Sequence, residues 1–172
     1  GSGIYRDVWL LKTEKVAVDT DGVYLCPVRL DDESWRVDVE TTVVSIAKDT
    51  EQIELVTDII DREGNVVASC GGSVTVTSHN KATSKYFTTV NNPTLWDIDA
   101  TYLYTVKTRV ICNGEVCDEY ITRTGFRYFS CDADRGFFLN GRRVVIKGVC
   151  GHEDCGLLGK AVPANVHRYK MQ

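Results

Sequence analysis

Period-two alternation dominates the chain. Val37, Val39, Thr41 and Val43 alternate with Arg36, Asp38, Glu40 and Thr42, so one face of the run is apolar and the other polar. Ile53, Leu55, Thr57 and Ile59 repeat the pattern, as do Tyr102, Tyr104, Val106, Thr108 and Val110. Shorter versions occur at Val74 and Val76 and at Tyr86, Thr88 and Val90. Such runs, rich in β-branched and aromatic residues, predict half-buried strands. Turn signals separate them: Asp21-Gly22, Asp31-Asp32, Arg62-Glu63-Gly64-Asn65, Gly71-Gly72, Asn91-Asn92-Pro93 and Asn113-Gly114. At Asn113-Gly114 both central residues must take positive φ, which Asn and Gly do cheaply, so a hairpin is predicted there. Strands recurring about every 10–15 residues, with almost no helical pattern before residue 160, predict an all-β antiparallel sandwich. Its core is expected from about Trp35 to Phe129.

The flanks read differently. Residues 4–11 and 23–30 are apolar runs, set apart from the first alternating strand by Asp31-Asp32-Glu33, and are expected to form a separate element. Residues 130–136 make a polar connector, and Phe137-Phe138-Leu139-Asn140-Gly141 ends a strand in a second Asn-Gly turn. Val144-Val145-Ile146 is a short continuous apolar run of the kind buried on both faces of a sheet. A polar loop over 148–159 follows, then a helix over 164–172 with Pro163 at its start. The tail therefore reads as a strand-loop-helix appendage, the opening of a βα unit.

Composition narrows the function. The chain has 172 residues and a formal net charge of −4, which excludes a basic nucleic-acid footprint. Its apolar runs fall far short of the roughly 20 residues a membrane helix needs, so neither nucleic acid nor membrane is an expected partner. No secretory signal pattern opens it, and the compartment stays open between bacterial periplasm and cytoplasm. The seven cysteines include no C-x-x-C pair, so they read as small half-buried hydrophobes, with Cys112 and Cys117 able to face each other across the hairpin. Cys150-x-His152-x-x-Cys155 lacks zinc-like spacing, and Asp97, Asp99, Asp132 and Asp134 lack a calcium-loop frame; no metal or cofactor is expected. Trp9, Trp35 and Trp96 read as core or interface anchors, the competing reading being a sugar-stacking platform.

Three segments together resemble glycoside hydrolase family 2, the β-galactosidase, β-glucuronidase and β-mannosidase relatives. Gly3-Ile4-Tyr5-Arg6-Asp7-Val8-Trp9-Leu10 looks like the last strand of that family's sugar-binding jelly roll. Asn92-Pro93-Thr94-Leu95-Trp96, with Tyr102-Leu103-Tyr104, is similar to a stretch of its immunoglobulin-like domain. Gly125-Phe126-Arg127, Phe138-Leu139-Asn140-Gly141-Arg142-Arg143-Val144, Lys147-Gly148-Val149 and His152-Glu153-Asp154 look like the approach to its (β/α)8 catalytic barrel.

The resemblance implies an order of domains. Residues 3–30 would be the jelly-roll tail and linker, 31–130 an immunoglobulin-like β-sandwich, and 131–172 the linker and first strand and loop of the barrel. The jelly-roll and barrel domains of the same parent chain would be its partners, and a carbohydrate the parent's substrate. Retaining glycosidases use two carboxyl groups about 5–5.5 Å apart. In this family both are glutamates on later barrel strands, one of them in an Asn-Glu pair, and this sequence has no Asn-Glu dipeptide. No catalytic residue is therefore carried over. His152, Glu153 and Asp154 would bind substrate in the parent, although Gly151 stands where relatives often have Asn-Arg before the His. The implied function is a non-catalytic scaffold fragment of a β-galactosidase-like glycosidase of carbohydrate metabolism. Cutting it from its neighbours would leave apolar patches that favour self-association. The alternative, a stand-alone immunoglobulin-like carbohydrate-binding or adhesion module, requires a domain that stops near Phe129.

Overall fold

The alternating runs become strands stacked in two layers. A computed structural model describes residues 3–4, 6–31, 33–151 and 155–172. Strands β1 (Val16–Arg29), β2 (Ser34–Ser45) and β5 (Lys81–Asn91) form a three-stranded sheet in the order β1-β2-β5. Strands β3 (Glu51–Ile60), β4 (Val66–Val76), β6 (Tyr104–Cys112) and β7 (Glu115–Thr124) form a four-stranded sheet in the order β4-β3-β6-β7. Neighbouring strands in both sheets are antiparallel. A meander of β8 (Phe129–Asp132), β9 (Gly136–Leu139) and β10 (Arg142–Arg143) follows. All of this lies in one compact unit, Thr13–Val145. Residues 3–12 and 146–172 cluster as the other, which holds the helix α1 (Ala164–Lys170), opened by Pro163.

The inward faces follow the alternation. Val37, Val39 and Val43 of β2, Ile53, Leu55 and Ile59 of β3, and Val106 and Val110 of β6 are fully buried. They sort into two clusters. One holds Val43, Ile53, Leu55, Val76 and Val110; the other holds Trp35, Val37, Val39, Ile59, Val106 and Phe126. Between them, at mid-strand, Thr41, Thr57 and Thr108 also point inward and are fully buried. Their hydroxyls are satisfied by one another and by Tyr86, which packs against both clusters. The Tyr86 hydroxyl lies 2.7 Å from Thr41 Oγ1 and 2.9 Å from Thr57 Oγ1, and Thr57 Oγ1 lies 2.8 Å from Thr108 Oγ1. This belt ties β2 and β5 of one sheet to β3 and β6 of the other. Burial pushes the Tyr86 phenol above its ordinary pKa, so it stays a neutral hydrogen-bonding group.

Several expectations shift. Val16–Arg29 is not a separate element: β1 pairs with β2 from Val16↔Ser45 to Arg29↔Trp35. The turn signal read at Asp31-Asp32 joins β1 to β2 as a hairpin, where the Asp31 carboxylate accepts the N–H groups of Glu33 and Ser34 at 2.9 and 2.6 Å. Asp21-Gly22 is a bulge within β1, where residues 19–22 stand opposite Thr42 and Asp21 has φ 53°. Gly71-Gly72 lies inside β4, not at a turn. A Cβ on Gly72 would sit 2.7 Å from Ser84 Oγ and 2.9 Å from Tyr86 Cδ1, so glycine there lets the side chains of β5 reach across. Residues 130–136 are not a plain connector but complete β8 and turn into β9. Val144, Val145 and Ile146 form no strand; Val145 and Ile146 are 69% and 70% exposed, having no ladder partner among the described residues. Residues 6–11 are likewise outside any strand, with Trp9 and Leu10 at 85% and 97% exposure.

The Asn113-Gly114 turn forms as read, with φ 54° and 82°, and a Cys112–Cys117 disulfide closes that end of the hairpin.

Replacing Tyr86 by Phe strands the Thr41 hydroxyl in the core and removes one partner of Thr57. The expected cost is about 1–3 kcal/mol. It is read as a lower urea midpoint with an unchanged m-value; an unchanged midpoint would mean the belt contributes nothing.

Candidate functional site

The segments that carry the family resemblance within the sandwich meet at one end of it. Tyr104, at the start of β6, accepts the Thr94 N–H on its hydroxyl at 2.9 Å and so pins the Asn92–Trp96 loop. That tie is the tyrosine corner of immunoglobulin-like sandwiches. The loop is held at its start by Asn92, whose N–H donates to Glu33 O at 2.6 Å and whose φ is 48°. Leu95 bridges Phe126 in parallel, and the Trp96 N–H donates to Phe126 O at 2.8 Å. Phe126 is fully buried, edge-on to Trp35 and Tyr104 with ring centroids 5.6 and 5.0 Å away. Gly125 makes room for Trp96, since a Cβ there would lie 3.0 Å from the Trp96 Cβ.

Asn140 links this end of the sandwich to the meander. Its φ is 49°. Its backbone N–H donates to Tyr128 O at 2.9 Å, its Oδ1 accepts the Tyr128 N–H at 3.2 Å, and its Nδ2 donates to Trp96 O at 2.9 Å. Arg142, two residues on, donates to Asp97 Oδ1 at 2.6 Å and Asp99 Oδ2 at 2.9 Å. The hydrogen bond from Arg142 holds the Asp97 carboxyl below its ordinary range. The Arg29 guanidinium lies 4.2 Å over the Tyr128 ring, and that of Arg127 lies 4.9 Å over Trp96.

Chemically this is a joint. Asp97 and Asp99 are committed to Arg142. Asp132 accepts the N–H groups of Asp134 and Arg135 at 3.0 and 2.9 Å and pairs with the Arg135 side chain, which lowers its pKa. Burial pushes the Cys70 thiol up to about 11, the Asp58 charge adding to the effect, so it stays unreactive at neutral pH. No cluster of metal-ligating side chains occurs among the described residues. Cys150 is exposed and Cys155 half-buried. His152, Glu153 and Asp154 lie outside the described residues. Trp35 is a core residue, and Trp96 is half-buried at the joint. Sequence reading marked Asn140-Gly141 as a turn but gave no sign of the partners of Asn140, or of Arg142 answering two aspartates.

The family model for glycosyl hydrolases family 2 matches residues 21–127. The β-galactosidase BoGH2A of Bacteroides ovatus is 41% identical over 94% of this chain and 19% of its own length. A β-galactosidase of Thermoanaerobacter pseudethanolicus is 30% identical over 96% of this chain and 21% of its own. The crystal structure of a Bacteroides uniformis β-glucuronidase superposes with a TM-score of 0.88 at 27% identity, over 98% of this chain and 21% of that one. The chain thus spans about a fifth of the length of the curated relatives it matches.

Asn140→Ala is expected to cost about 2–4 kcal/mol, from two lost side-chain hydrogen bonds and a Cβ residue without Asn's tolerance of positive φ. Asn140→Gly, which accepts that φ, should cost less. Urea unfolding of the two variants gives the comparison. Because the folded pKa of Asp97 is lowered, its contribution is present above the unfolded value near 3.9 and is lost as pH falls through the folded one. Asp97→Asn should therefore flatten the acid limb of a melting-temperature profile below about pH 4.

Proposed function

The chain belongs to glycosyl hydrolases family 2, and from that premise we propose that it is the non-catalytic, immunoglobulin-like spacer of a larger retaining glycosidase. Its parent hydrolyses O-glycosidic bonds of β-linked sugars, β-galactosides first. Residues 3–12 are the tail of a jelly-roll domain, 16–130 the sandwich, and 131–172 the passage to a (β/α)8 barrel. The observation that carries this reading is the joint itself: backbone and side-chain bonds of Asn140 and the Arg142 pairs clamp the strand leaving the sandwich onto Trp96 and Asp97. A chain leaving a clamped strand starts from a fixed position and direction, which a spacer must supply to a neighbouring domain. Arginine-bound carboxylates at the joint are poor proton donors or nucleophiles, which suits a mechanical rather than a chemical role.

In the parent, His152, Glu153 and Asp154 stand on the loop after the first barrel strand. Active sites of that fold gather on the face carrying such loops, and these side chains contact the sugar there. The two glutamates of the double displacement come from barrel segments outside this chain.

The test is turnover of nitrophenyl β-galactoside, β-glucuronide and β-mannoside. The 172-residue chain should give none, and the parent polypeptide should prefer the galactoside. Hydrolysis by the 172-residue chain would overturn the spacer reading.

A further inference from the structure

Beside the joint lies an open pocket of about 450 Å³ lined by Pro27, Trp96, Leu103, Arg123, Gly125 and Arg127, with Thr124 completing it. Pro27, Leu103 and Trp96 supply its apolar part, two arginines much of its polar part, and no carboxylate lines it. Other arginines of the same unit are spoken for: Arg142 by Asp97 and Asp99, Arg109 by Asp58, and Arg135 by Asp132. The Arg123 and Arg127 side chains have no ion pair or hydrogen bond among the described residues, and the Arg127 guanidinium has only the Trp96 ring beneath it. A guanidinium over an indole face still has N–H groups to donate, and two of them fit a carboxylate through parallel hydrogen bonds. Two unanswered cations in one pocket are notable in a chain of net charge −4.

We propose that this pocket receives an acidic side chain from another domain of the parent polypeptide, its methylene stem on Pro27 and Leu103 and its carboxylate on Arg127 with Arg123 alongside. This rests on the spacer reading above. Two features favour a protein side chain as occupant. The pocket shares Trp96 with the joint, whose backbone carbonyl takes the Asn140 amide. Relatives of this chain are about five times its length, so most of such a polypeptide is available to cover this face. An acidic side chain would turn a static clamp into a two-point attachment, one point covalent through residue 143 and one electrostatic through Arg127.

The experiment compares one double variant, R123Q/R127K, in two settings. The R127K change keeps a cation over Trp96 but loses the paired N–H edge. In the 172-residue chain the melting temperature should be unchanged within about a degree, since no ion pair is lost. In the parent polypeptide the transition in which the sandwich unfolds should fall by about 2–4 °C, and the fall should shrink in high salt. An equal fall in both settings would assign the arginines to the sandwich alone and overturn the proposal, as would no fall in the parent. Sodium glucuronate is the second arm. If it raises the melting temperature of the 172-residue chain in an Arg127-dependent way, the pocket serves a free sugar acid and the docking proposal is overturned. Glycoside turnover by the parent is measured separately, so failure of the spacer reading and failure of the docking proposal give different results.

Discussion

One hydroxyl group sets the register of this sandwich. The Tyr86 phenol sits between the layers, within hydrogen-bond distance of a threonine from each sheet, and the chain of contacts runs on to Thr108. Each of these threonines occupies the position on its strand where valine would pack as well. The difference is that a buried hydroxyl without a partner costs more than a missing methyl contact. A one-residue slip of β2, β3 or β6 would turn its threonine to solvent and orphan the others, so the belt penalises each slip separately. The belt also explains Gly72. The ring of Tyr86 passes over β4 at a distance that admits no Cβ, and glycine gives up strand propensity there so that the phenol can reach the middle of the core.

The belt divides the core into ends with different tasks. At one end, aliphatic residues close the sandwich beside the Cys112–Cys117 hairpin. The other is aromatic: Trp35, Tyr104 and Phe126 interlock edge to face and carry the Asn92–Trp96 loop on their rim. Large rigid rings suit a surface that must hold a loop still, because they lose little rotamer freedom for the area they bury. The clamp built on that rim spends its ionisable groups on holding position.

Much of the architecture was legible because it rests on local pattern. The inward positions of β2, β3 and β6 follow the alternation residue by residue, threonines included. The Asn113-Gly114 turn follows from φ preference alone. The errors arose where one local signal serves two global ends. Asp31-Asp32-Glu33 reads equally as a turn or as the boundary of a separate element, and only the pairing of Val16–Arg29 with β2 decides between them. Gly71-Gly72 reads as a turn until the side chains of β5 are placed over it. Val144-Val145-Ile146 reads as a buried strand, but burial is a property of partners: the Val144 N–H reaches Phe137 O, while Val145 and Ile146 have no ladder partner among the described residues. The joint was half legible for the same reason: Asn140-Gly141 announces a bend, while Trp96 O and Asp97, more than forty residues upstream, announce nothing.

The bulge in β1 has a further consequence. β1 is an outer strand of its sheet, and a long straight outer strand offers a row of open N–H and C=O groups on which another chain can grow a fibril. Residues 19–22 break that row, with Asp21 in the left-handed region. The stretches 16–18 and 23–29 are out of register with each other across the bulge, so a foreign strand cannot pair with both in one unbroken ladder. A distortion that costs the sheet a few ladder bonds thereby shortens the continuous edge that another chain could extend.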